Sequence, residues 1–178
     1  RMVQRQEDLL DCSEDMEGVE FFFKSQRSVY DEARRQMERV NKERDYFASD
    51  ADTLEVFHTI ATILAQPKPY DRIGELPELS QRVKTAYSGL LDLKKDEVAE
   101  NIRQCMQDVH QLATEARDAG VLLRQADDYF VGKREAAKNA SSLTELDAMI
   151  TQLLNYKDTI CRRMEVMTAS RQQEAQKP

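Results

Sequence analysis

The chain has 178 residues, 33% of them charged and only 7% aromatic, with no Trp and a net charge of −7. An acidic balance of this size excludes a whole-chain electrostatic footprint for DNA or RNA. With five Gly and four Pro among so many Ala, Glu, Lys, Leu, Arg and Gln, the composition is that of a helical protein, and no strand-like alternation interrupts it.

Residues 1–15 carry Leu9, Leu10 and Cys12 among charges and read as the end of a helix. The chain starts mid-pattern at Arg1, so we take it for a fragment of a longer protein. Gly18 breaks the pattern. The densest apolar cluster follows at Val19 and Phe21–Phe23. Three consecutive phenylalanines on a helix point in three directions: they bury against different helices, or one is an exposed anchor for a partner.

From Ser25 to Phe47 the heptad stops are Gln26, Tyr30, Ala33, Met37, Val40, Arg44 and Phe47, which predicts a helix weakened where the polar stops fall. Its basic residues Arg34, Arg35, Arg39, Lys42 and Arg44 alternate with Asp31, Glu32, Glu38 and Glu43, a solvated face of i,i+4 pairs rather than a nucleic-acid patch. Ser49–Asp52 is a turn. Asp52 and Glu55 are spaced as a capping box before the run Leu54, Phe57, Ile60, Ala61, Ile63 and Leu64. Pro67 and Pro69 stop that helix, because each lacks an amide donor and biases its predecessor toward extended backbone. Residues 66–76 therefore form a stiff connector, with room for one turn at Tyr70–Ile73. Pro77 suits the first turn of the next helix, whose seam runs Leu79, Val83, Ala86, Tyr87, Leu90 and Leu91. Its phase slips between Leu91 and Val98, across Lys94, Lys95 and Asp96.

The longest seam runs Val98, Ile102, Cys105, Val109, Leu112, Ala116, Ala119, Leu123, Ala126, Phe130, Lys133 and Ala137. Read as one helix it is about 60 Å long, with Gly120 and Gly132 as weak points. Ser142 and Glu145 make a second capping box. It opens the seam Leu143, Leu146, Ile150, Leu153, Lys157, Ile160, Met164 and Met167. Two such helices joined by Lys138–Ser142 form an antiparallel hairpin. Facing residues then pair Phe130 with Ile150 and Ala126 with Leu153, and Leu123 with a Lys157 that must snorkel its charge outward. In this register Val98, Ile102, Cys105 and Val109 have no partner inside the hairpin and are predicted to pack on the N-terminal helices. The tip near Asn139 is predicted to touch nothing else. The expected fold is all-α: an N-terminal helical bundle over 1–97, a long antiparallel coiled-coil-like hairpin over 98–170, and a frayed tail over 171–178.

The search for chemistry is nearly empty. His58 and His110 fall on different predicted helices, and neither has the neighbours of a metal site. Glu55-Val-Phe-His58 matches the Glu-x-x-His of di-iron bundles once, where two copies are needed. Gly132-Lys133 fails as a phosphate loop: Asp127 stands where Gly is required, and Arg134 where Ser or Thr is required. We expect no catalytic, cofactor-binding or metal site, and no small-molecule substrate. Cys12, Cys105 and Cys161 are odd in number and without a CxxC, as suits reduced thiols in the cytoplasm. No apolar run is long enough to cross a membrane.

One block carries more than composition. It runs from Phe21 to Arg27 (FFFKSQR), through Tyr30, Asp31 and Asn41, to Asp45-Tyr46-Phe47. It continues through Ala65–Ile73 (AQPKPYDRI) to Glu75–Leu79 (ELPEL). This resembles the helical region after the ATPase module in BrxC, the large P-loop protein of bacterial BREX phage-defence systems. The resemblance implies an intracellular, multi-component defence complex. No nucleotide-binding residue carries over to these positions. It also implies a helical segment that docks other BREX components or self-associates, with the hairpin tip or Phe21–Phe23 as contact surface. The alternative is a coiled-coil or bundle scaffold with no ATPase attached.

Overall fold

A computed structural model describes residues 24–67, 72–116 and 118–177. They are helical nearly throughout, and no strand occurs among them. The helices are α1 (24–42), α2 (Ala51–Leu64), α3 (Leu76–Glu115), α4 (Gly120–Lys138) and α5 (Leu143–Ala175). Arg1–Gly18 and Phe21–Phe23 lie outside the described residues, as does Tyr70. The chain divides into two compact units, Arg1–Tyr87 and Ser88–Pro178, so the dividing point falls within α3, upstream of Val98.

In the first unit the α1 seam is not the one expected. Ala33, Gln36, Val40, Glu43 and Phe47 are buried, whereas Arg44 is exposed and Met37 half-buried. Steps of three and four fit both registers, and each polar stop of the chosen one makes a hydrogen bond, although Gln36 Oε1 is buried without a partner. Gln36 donates to Glu32 (3.1 Å), and Glu43 accepts from the Tyr87 hydroxyl (3.0 Å). The α-helix also ends before Phe47, giving way to a 3-10 turn at Arg44–Phe47. That turn swings the Phe47 ring edge-on to Phe57 and stacks it near Tyr87.

α2 is capped by Asp50, not Asp52. The Thr53 amide donates to Asp50 Oδ1 (3.1 Å), and the Thr53 hydroxyl bonds to the other oxygen. The capping-box spacing picked the wrong carboxylate because Asp50 and Asp52 both precede the apolar run, and only the chain's exit from the turn decides between them. Val56, Phe57, Ile60 and Ile63 form the buried face. After the prolines, a 3-10 turn at Ile73–Glu75 is braced by a two-pronged Arg72–Glu75 pair, and α3 begins with Pro77 in its first turn.

α3 runs unbroken through the predicted phase slip. Lys94 fills the missing seam position, mostly covered, with its ammonium on Asp147 (2.7 Å) and Glu97 (3.1 Å). A long stem under an outward charge lets lysine occupy such a stop.

The second unit departs most from expectation. The segment 98–137 is not one helix: it turns back between Glu115 and Gly120, where the amides of Ala116 and Ala119 each bond three residues back. Ala116 and Ala119 are buried there, small enough for a tight connection. The reversal lays the second half of α3 on α4 and α5. Val98, Ile102, Cys105 and Val109 thus join Phe130, Leu153, Ile160 and Met164 in one core, instead of seeking the N-terminal helices. Burying four apolar seam positions this way is worth several kcal/mol, at about 25 cal/mol per Å², well above the roughly 1 kcal/mol scale of a helix interruption.

α4 and α5 form the expected antiparallel hairpin, started by Ser142 accepting from the Glu145 amide (3.3 Å). Side chains outside the expected pairs also meet across it. Tyr129 stacks on Tyr156 with centroids 3.7 Å apart, Phe130 stands edge-on to Tyr156, and Lys133 bonds Gln152 (2.7 Å). Tyr156 sits beside the predicted seam rather than on it, so the pattern omitted this ring. The hairpin tip is not isolated: Lys95 Nζ donates to the Lys138 carbonyl (2.9 Å), and Ala140 is buried.

Candidate functional site

Among the described residues no group of three His, Cys, Asp or Glu could hold a metal. His58 and Glu55 are both exposed on α2, so their Glu-x-x-His spacing lines no helix-bundle interior. His110 does have an acidic partner, Asp127 on α4 (2.7 Å). Neighbours on the same helix do not reveal it; the contact exists only because α3 turns back onto α4. The pair is exposed and isolated, a surface link between helices. Lys133, the would-be phosphate-loop lysine, is committed to Gln152 and lies 5.5 Å from the Tyr129 ring.

Of the described thiols, Cys105 is buried and Cys161 half-buried. Burial pushes the Cys105 thiol above its usual range, with Lys157 opposing, and burial does the same to Cys161. Both are free. A thiol held protonated is a poor nucleophile. Lys157 shows how the seam accommodates a charge: its side chain is 25% exposed and its ammonium reaches to 3.7 Å from Asp108.

Three of the five basic residues between Arg34 and Arg44 meet neighbours of their own. Arg34 pairs with Glu38, and Arg35 with Glu32, which also holds Lys84. Arg39 lies over the Tyr87 ring at 3.8 Å. These contacts set carboxylates among the cations of α1 and weaken its attraction for a phosphate backbone.

What remains available is apolar surface. Leu93, Val121, Val131, Leu154 and Val166 are large side chains left exposed. Two of them, Val121 and Val166, line a groove of about 610 Å³ with Leu122, Met167, Arg162, Arg163 and Asp118. The groove lies between the start of α4 and the latter part of α5. Its apolar walls suit it to holding another chain.

Residues 1–44 match the family model of the BREX ATP-binding protein BrxC alpha helical domain. This supports a BrxC-related helical region, as the FFFKSQR block implied. The match spans α1 and the first residue of the following 3-10 turn, together with residues outside the described part. No solved structure matches the chain. Among the described residues no helix is long and apolar enough to cross a membrane.

Proposed function

We propose that this chain is a non-catalytic helical segment of a BREX-type defence ATPase, and that its role is to dock other components of the complex or further copies of itself. The match of residues 1–44 to the BrxC helical domain carries the reading. The chemistry agrees with it: among the described residues His110 is paired with Asp127, burial holds Cys105 and Cys161 protonated, and apolar side chains stand exposed on α3, α4 and α5. On this reading the segment turns over no nucleotide and works in the cytoplasm.

The test is made in a full-length BrxC-type protein carrying this segment, within its defence operon. Substituting the segment by an unrelated helical bundle should leave ATP turnover measurable while abolishing phage restriction and co-purification of the other components. Intact restriction and an intact complex would overturn the proposal. ATP hydrolysis by the purified 178-residue chain, absent from a mock purification, would overturn its non-catalytic part.

A further inference from the structure

The charge of this chain is unevenly placed. Between Glu7 and Glu20 stand seven carboxylates (Glu7, Asp8, Asp11, Glu14, Asp15, Glu17 and Glu20) and no Lys or Arg. The whole chain has a net charge of −7, so this one stretch accounts for all of it and the remainder is balanced. Leu9, Leu10, Met16 and Val19 are set among the carboxylates. The groove between α4 and α5 has the complementary character. Its walls are Val121, Leu122, Val166 and Met167, and its rim carries Arg162 and Arg163. Val121 is 69% and Val166 65% exposed, a large apolar area to leave uncovered by water-excluding contacts. The arginines are exposed, and neither makes a salt bridge among the described residues. Asp118, the one carboxylate on the rim, has interactions of its own.

We infer that the groove of one copy receives the Glu7–Glu20 stretch of a second copy, with apolar side chains such as Leu9 and Leu10 against Val121, Val166 and Met167, and carboxylates against Arg162 and Arg163. Charge complementarity selects this occupant: an apolar groove with two exposed guanidinium groups that make no salt bridge among the described residues suits an acidic, leucine-bearing segment. The stretch belongs to the unit Arg1–Tyr87 and the groove to the unit Ser88–Pro178. The contact is therefore heterologous, joining one copy's first unit to the next copy's second, and such contacts build rings or open chains. The inference rests on the docking reading above and adds to it the partner and the place.

The experiment is sedimentation of the 178-residue chain over a range of concentrations, in low and high salt. Self-association that weakens with salt is expected. Arg162→Glu with Arg163→Glu should weaken it by about tenfold or more, since attraction becomes repulsion. Asp11→Lys with Glu14→Lys and Asp15→Lys should weaken it similarly. Mixing the two variants should restore association, because the reversed stretch of one then fits the reversed groove of the other. Val166→Asp, at a position open enough for the fold to tolerate, should weaken association with helicity unchanged. A chain that is monomeric throughout, variants that associate like the wild type, or a mixture that fails to restore association would each overturn the inference. A monomeric chain whose full-length parent still co-purifies with other defence components would sink this inference alone. Self-association without that co-purification would sink the component-docking reading alone.

Discussion

The two units of this chain solve the same problem differently. The unit ending at Tyr87 buries aromatic rings beside polar groups: Phe47, Phe57 and Tyr87 share its interior with Glu43, Gln36, Thr53 and Ser80. The unit starting at Ser88 has a core of aliphatic side chains, Met164, alanines and the Phe130 ring, and its lysines reach outward to partners at the rim. A seam with polar stops needs a specific partner for each one, since an unsatisfied buried group costs about 1–3 kcal/mol. An aliphatic seam needs only volume and fit. The first unit should therefore be sensitive to single atoms, and the second to size and charge.

The largest effect should come from putting charge into the aliphatic core. Ile102 is 0% exposed, and Ile102→Asp should cost several kcal/mol, of the order of 3–5, for an unpaired buried carboxylate. Hydrogen exchange should show α4 and α5 losing protection. If they keep it, the α3 seam does not hold this unit together. Phe130→Ala, at another fully buried position, should cost about 3–5 kcal/mol by leaving a cavity.

Removing one oxygen atom tests the other half of the comparison. Tyr87→Phe keeps the ring against Phe47 and deletes the donor to Glu43. Thermal melting should report a loss of about 1–3 kcal/mol, and an unchanged melt would mean that the polar seam is not carried by this bond. Asp50→Ala should follow at about 1 kcal/mol, the usual worth of a helix N-cap.

The pH limits should also divide between the units. In the first, the Lys84 and Gln36 bonds hold Glu32 below the usual carboxylate range, and the Thr53 bonds do the same for Asp50. A depressed carboxylate contributes stability that is present above its unfolded pKa and lost as pH falls through its folded one, so acid should loosen α1 and α2. In the second, the Asp147 bond raises Lys94, and burial raises Cys105, Cys161, Tyr129 and Tyr156. Raised groups contribute stability that is present below their unfolded pKa and lost as pH rises through the folded value, so alkali should loosen α4 and α5. Hydrogen exchange at pH 4 and at pH 10 reads the two separately; the same helices opening first at both ends would erase the distinction. The smallest effect should be at the surface. Arg103→Ala breaks only exposed contacts, with Glu100 and Gln107, and should shift a melt by less than about 0.5 kcal/mol.

The functional site was less legible than the fold. The acidic stretch can be counted from the sequence, but the groove cannot, because Val121 and Val166 are ordinary apolar residues until α4 and α5 are set side by side. His110 likewise has no partner until Asp127 is brought back to it.

The sequence by itself determined that the chain is helical, where the prolines separate α2 from α3, that Ser142 starts the last helix, and that Leu143, Leu146, Leu153, Ile160 and Met164 face inward. These features depend on residues within a turn or two of one another, where periodicity, capping and proline act directly. Only the tertiary structure decided that 98–137 turns back at Ala116–Ala119, that Tyr156 stands edge-on to Phe130, and that α1 buries Gln36 and Glu43 instead of Met37 and Arg44. A stripe of apolar residues states that a helix must be covered, and the same stripe is satisfied by any cover. Which helix supplies it depends on the burial gained by the whole unit, a quantity that no stretch of sequence contains alone.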